Sequence, residues 1–171
     1  MADPLSTARY RVGQVLRGLR TTIEAADATA VRSLLTPAEL QLFLRMHPRD
    51  RKHSICVMRR LEAAAGSQAL LVAALLHDVA KGRPRVWERA LFTVLEAVSP
   101  RLVERLATQR GMRWRRALQA MRHHAQAGAE LLRESSSTEA VIELVRRHSG
   151  RDRPHQPDGE LARLIAADGA C

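Results

Sequence analysis

Aromatic residues are scarce in this chain: two tryptophans, one tyrosine and two phenylalanines among 171 residues. Leucine, alanine, valine and isoleucine must therefore pack the core, and the stacking platforms of single-strand nucleic-acid binders are missing. Cysteine is limited to Cys56 and Cys171 with no Cys-x-x-Cys pair, which argues against a disulfide-dense scaffold and a zinc ribbon. The opening Met1-Ala2-Asp3-Pro4 has no basic segment leading into an apolar one. No secretory leader is expected, and a reducing cytoplasm is the expected compartment. The longest apolar run, residues 69–76, has eight residues, far below the roughly 20 that span a bilayer. No stretch alternates with period two for long enough to read as a strand, and no internal repeat is visible.

What the chain does have is basic charge. Its formal net charge is +10, and every basic residue except Lys52 and Lys81 is an arginine. Such a surface draws in anions: nucleic acid, an acidic membrane surface or a phosphorylated metabolite. The arginines are spread over the whole chain, which also fits plain solvation of helix faces. The charge favours an anionic ligand without naming one. Nucleic acid is compatible with the charge but not favoured by it, and the oligomeric state is not readable. The 46% hydrophobic fraction suffices for one ordinary domain.

Helical periodicity dominates. Val12, Val15, Leu16, Leu19 and Ile23 recur at helical spacing, so residues 1–35 read as a helical extension packing on a main domain of residues 36–171. Asp27 can cap a short helix through Leu35. Thr36-Pro37-Ala38-Glu39 combines a cap, a proline at the first helical position and the glutamate of a capping box. Further helices are expected from near Asp50 to Ala65, from about Ser67 to Lys81, and over residues 87–98 with Leu91, Val94 and Leu95 inward. Ser99-Pro100 starts another through Leu102, Val103 and Leu106. The last three carry Trp114, Leu118, Met121 and His124; Val141, Leu144, Val145 and His148; and Leu161, Leu164, Ile165 and Asp168. The fold class is an all-α helical bundle.

The chemistry gathers at the end of the apolar run, where Leu76 is followed by His77 and Asp78. A buried carboxylate is costly unless it is paired, hydrogen-bonded or bound to a metal. His53, His124, His148 and Asp168 each fall on the apolar stripe of a different helix. One such histidine alone is an ordinary core residue, and one such aspartate an ordinary surface residue. Four around His77-Asp78 point to a metal site between core helices, in the way helical bundles build them. Imidazole and carboxylate suit iron, manganese, zinc or nickel. His47, His123 and His155 lie beside prolines or off the stripes and read as surface or supporting residues.

In this order and context the residues resemble the HD-domain superfamily of metal-dependent phosphohydrolases. Leu75-Leu76-His77-Asp78-Val79-Ala80-Lys81 is similar to its signature. His124-Ala125-Gln126-Ala127-Gly128-Ala129 is similar to the later histidine-x-x-x-glycine-alanine segment of its six-ligand subgroup, and Arg147-His148-Ser149-Gly150 and Ala166-Ala167-Asp168 to the last two ligand segments. The resemblance covers roughly residues 36–171. It implies an HD-domain-like helical bundle with two divalent ions, iron or manganese first, with zinc, nickel or magnesium as alternatives. His53, His77, Asp78 and Asp168 would hold one ion. His124 and His148, with Asp78 bridging, would hold the other. A hydroxide between them would attack phosphorus of a nucleotide or small phosphate ester, making Asp78 catalytic. Lys81 either acts there as a catalytic and substrate-binding cation, or is a solvated cation set against its helix end.

The chain departs from two branches of that superfamily. The glycine-tyrosine-proline motif of the cyclic-dinucleotide branch is absent after His123-His124, and the acidic residues of the alarmone hydrolases are replaced by Val79-Ala80-Lys81-Gly82. The nearest likeness is to small stand-alone bacterial members, including dinucleoside-polyphosphate hydrolases. Asp168 stands three residues before the last residue of the sequence, which leaves its helix little chain to anchor it. Two other readings stay open: a di-iron oxygenase on the same ligand set, and a weakly catalytic metal-binding module contacting nucleic acid or protein.

Overall fold

The computed structural model describes residues 25–149, 152–157 and 159–171. The helix expected around residues 12–23 lies outside them. Among the described residues there are nine helices and no strand: α1 (Ala25–Leu34), α2 (Pro37–Arg45), α3 (Pro48–Ala63), α4 (Gln68–Leu76), α5 (Val86–Val98), α6 (Pro100–Leu106), α7 (Arg113–Glu134), α8 (Glu139–Arg147) and α9 (Gly159–Ala170). The all-α expectation holds.

Local chemistry accounts for most of the helix starts. Thr36 Oγ1 accepts from the Glu39 amide at 3.3 Å while Glu39 Oε2 accepts from the Thr36 amide at 2.9 Å, so the capping box forms as written in the sequence. The second Glu39 oxygen accepts from the Ser137 hydroxyl at 2.7 Å, which ties the α7–α8 turn to α2 and satisfies a carboxylate that is 4% exposed. His47 caps α3 through its Nδ1 and Pro48 takes the first helical position, so α3 starts two residues before the expected Asp50. Ser67 caps α4 and Ser99 caps α6. Asp27 sits inside the first turn of α1 and does not cap it; its carboxylate accepts from Arg59 Nε of α3 at 2.8 Å.

The apolar run forms the centre. Leu70 through Leu76 are all buried, because α4 is walled by α1, α2, α3, α8 and α9. A helix with no polar face can exist only in such a position. Removing one of these leucine side chains, for instance Leu75→Ala, would cost about 2–5 kcal/mol in lost burial and cavity formation.

Three further expectations are corrected. The central helix ends at Leu76 and not at Lys81: residues 77–80 form a turn closed by bonds to the third residue back, Val79 N to Leu76 O and Lys81 N to Asp78 O, both 3.0 Å. On α5, Val94 is 58% exposed and Glu88 alone is buried, because α5 and α6 pack chiefly on each other and on α7. Cys56 and Cys171, which promised no framework, form a disulfide that joins α3 to the residue after α9 across a Cα separation of 6.0 Å. Packing of α3 against α9 brings together residues 115 positions apart, which spacing along the chain does not reveal.

Candidate metal centre

Three imidazoles are held alike. His77 follows the last residue of α4, and His148 the last residue of α8. His124 comes directly after His123, where α7 is kinked by non-helical backbone angles (φ −114°, ψ 16°). At each interruption the ring Nδ1 lies on the carbonyl oxygen three residues back: His77 on Ala74 at 2.9 Å, His124 on Met121 at 2.8 Å and His148 on Val145 at 2.6 Å. A carbonyl only accepts, so each Nδ1 carries its proton and donates it. Carbonyls near a helix end lack intrahelical partners and are free to accept. Every Nε2 is thereby turned inward, the arrangement in which a histidine can bind a metal while its other nitrogen is fixed by the backbone.

What the Nε2 atoms meet falls into two corners. In the closed corner, His124 Nε2 lies 3.2 Å from His148 Nε2 and 3.4 Å from Asp78 Oδ1. Burial pushes the His124 imidazole down to about 4, only partly offset by Asp78. Burial, with His77 and His124 alongside, pushes His148 down to about 3. Both rings are therefore neutral at pH 7, and their single protons are spent on the backbone. The 3.2 Å contact joins two lone pairs and no hydrogen bond spans it. Two unprotonated imidazole nitrogens converge beside a carboxylate oxygen, and no proton lies between the two rings.

In the open corner, His53 Nε2 donates to Asp168 Oδ1 at 2.8 Å, and His77 Nε2 lies 3.5 Å from the same oxygen and 3.7 Å from Asp78 Oδ2. His77 Nε2 is buried and makes no hydrogen bond. Burial opposes charge on His77, but Asp78 and Asp168 outweigh it and hold its pKa up at about 9. Burial works against ionising Asp168 too, yet the hydrogen bond from His53 and the nearby His77 keep it below the usual carboxylate range.

Asp78 joins the corners. Its side chain is 2% exposed; burial opposes its charge, but Lys81, His77 and His124 hold it well below the usual carboxylate range. Lys81 Nζ lies 3.0 and 2.8 Å from its two oxygens. Burial works against the Lys81 charge and Asp78 restores it, so its pKa is raised. The turn that replaces the last helical turn brings Lys81 onto Asp78, three residues back, and not onto its helix end. Gly128 belongs to the same construction: a Cβ there would stand 3.3 Å from Val79 Cγ1 and 3.4 Å from Val145 Cγ1, so glycine lets α7 close on the turn after Asp78 and on α8.

All six residues singled out as ligands are thus brought together. His53, His77 and Asp78 can offer atoms to one cation, as can Asp78, His124 and His148, with Asp168 bordering the first group. The protein family whose profile matches is the HD domain, over residues 51–168, from just before His53 to Asp168. The chain belongs to the HD-domain family. No curated protein and no solved structure matches it. HD domains are all-α, belong to the metal-dependent phosphohydrolase superfamily and bind divalent metals, and the donor set of this one fits such an ion: the unprotonated nitrogens of His124 and His148 converge beside the Asp78 carboxylate.

Other features of this HD domain were not foreseen. Arg89 of α5 grips Asp50 of α3 with both amino groups, at 2.9 and 2.7 Å, and Asp50 adds to the negative field at Lys81. A cavity of about 330 Å³ beside α7 is lined by Gln109, Arg116, Gln119 and His123 over Ala80, Ala120 and Ala127. Positions 116, 119, 120, 123 and 127 share one helix face, a period that was readable; Ala80 and Gln109 come from other segments and were not. No helix among the described residues is long and apolar enough to cross a membrane.

Proposed function

We propose that this HD domain hydrolyses a nucleotide or another small phosphate ester in a metal-dependent reaction. The observation that carries the reading is the closed corner, where the unprotonated Nε2 atoms of His124 and His148 face each other at 3.2 Å beside Asp78. Apposed lone pairs are unfavourable by themselves and favourable around a cation. In this reading His53, His77, Asp78 and Asp168 hold one ion and Asp78, His124 and His148 a second, with iron or manganese suited to the mixed nitrogen and oxygen set. Bound divalent ions lower the pKa of water and neutralise phosphoryl oxygens in the transition state.

The chain's own residues contribute the remainder. Burial keeps His124 and His148 unprotonated at neutral pH, and the backbone carbonyls of Met121 and Val145 fix their tautomers. Asp78 stays ionised. Lys81, whose side chain is 27% exposed, is the cation within reach of a phosphoryl oxygen or the leaving group. Water supplies the attacking oxygen, the ester P–O bond breaks, and the departing oxygen takes a proton. The cavity beside Ala80 and His123, next in sequence to Lys81 and His124, takes the part of the substrate remote from phosphorus. Its guanidinium, carboxamides and imidazole suit the charge and hydrogen-bonding edges of a nucleotide, and its size lies within the range of ligand pockets.

The test is the metal content of protein purified without chelator, together with hydrolysis of an aryl phosphate ester and a nucleotide panel in the presence of manganese or iron. About two ions per chain with turnover supports the reading. No bound metal after reconstitution overturns it.

A further inference from the structure

We infer that Cys56 and Cys171 are a reversible redox-modification site whose disulfide holds Asp168 in the open corner of the metal centre. The inference rests on the proposed role of His53 and Asp168 as ligands. Its basis is a register: His53 lies three residues before Cys56 on α3, and Asp168 three residues before Cys171 at the end of α9. Side chains three apart share one face of a helix. The two helical turns that meet through the 2.8 Å contact of His53 Nε2 with Asp168 Oδ1 are therefore the turns that the disulfide binds together.

Little else fixes Asp168. Leu161, Leu164 and Ala167 bury α9 against α3, α4 and α8, and beyond Ala167 the apolar contact with the core is that of Cys171 itself. Gly169 and Ala170 are exposed, and a Cβ at Gly169 would find nothing within 4 Å. The Asp168 side chain is 38% exposed, against 2% for Asp78, so water competes for it where it does not compete for Asp78. Both cysteines are partly exposed. Reduction proceeds by exchange: a thiolate of a dithiol attacks one sulfur, the S–S bond breaks, and the other sulfur leaves and takes a proton. The second thiol of the reductant then releases the first cysteine. Two electrons pass from the dithiol, which ends as a disulfide, to two protein thiols; a low-molecular-weight disulfide reverses the change. In the oxidised protein Asp168 is pre-ordered for the ion. In the reduced protein the last turn of α9 frays and Asp168 must be ordered at the moment of binding, which weakens that one site.

The full chain is prepared oxidised, and reduced with a phosphine that is removed before titration, and manganese binding is followed by calorimetry and by the spin-resonance signal of free ion. One of two binding events should weaken about tenfold on reduction, the scale of losing a partner that orients a ligand. The other, at Asp78, His124 and His148, should be unchanged. Cys171→Ser should bind like the reduced protein under all conditions, and in Asp168→Ala the redox difference should vanish. Equal manganese affinity in both redox states overturns the inference and leaves the metal-centre reading standing. So does mass spectrometry showing two free thiols after treatment with an oxidised dithiol. Failure of both states to bind manganese overturns both.

Discussion

The two corners of the centre present the same ligand types and protect them differently. The closed corner is sealed: the side chains of His124 and Asp78 are 8% and 2% exposed, and burial, helped by neighbouring cations and imidazoles, keeps both of its histidines neutral. The open corner exposes 26% of His53 and 38% of Asp168, and its order comes from a hydrogen bond, an ion pair and a disulfide. Burial is the largest influence on protonation in the closed corner. Pairing sets orientation, and it can be undone by protons, water or reductant. A centre built this way has one fixed wall and one adjustable wall.

The most severe way to break the comparison is to remove what the corners share. Asp78→Ala should reduce both metal content and phosphate-ester turnover to background while circular dichroism keeps its helical signal. Full activity in that variant would end the bridging role. Next come single-corner variants. His148→Gln should lose one ion, and turnover should fall by more than the ~10–100-fold typical of losing an outer partner. Asp168→Asn, in the open corner, should lose the other ion with a smaller loss of turnover, since His53 and His77 remain. Equal losses would erase the distinction.

Acid should separate the corners in the metal-free protein. His124 and His148, with folded pKa values of about 4 and 3 against 6.5, bind fewer protons folded than unfolded. Their stabilisation is present above 6.5 and is lost as pH falls towards 4, with a slope of about 1.4 kcal/mol per pH unit for each proton of difference. His77 has the opposite sign: its folded pKa of about 9 gives stability that is full below 6.5 and lost as pH rises through 9. The melting temperature of the chelated protein should therefore peak near pH 6.5, and His148→Gln should flatten the acid side only. A monotonic profile would refute these assignments. The smallest effect is expected for Lys81→Met: metal stoichiometry stays near that of the parent and turnover falls about tenfold, less than the ~100–1,000-fold cost of removing a fully sequestered transition-state donor, because the Lys81 side chain is 27% exposed.

Much of this could be read from the chain. Thr36-Pro37-Ala38-Glu39 dictated the start of α2, and the unbroken apolar run required a surrounded helix, because both follow from bonds and burial within one turn or one segment. The positions of His53, His124, His148 and Asp168 on apolar stripes pointed inward, since helical period alone decides which side chains share a face. Val94 shows the limit: the same periodicity marked it as inward, yet α5 has no core on that side and leaves it exposed.

The sequence by itself therefore determined most of the helices among the described residues, most of their inward faces and the set of His and Asp side chains that lie close enough to share a cation, because these are local properties of spacing and polarity. Tertiary structure alone decided that α4 stops at Leu76 so that Lys81 meets Asp78, that two unprotonated imidazoles face each other across the closed corner, and that Cys56 finds Cys171 beside Asp168. Each of these depends on where a distant helix comes to rest, and only packing fixes that.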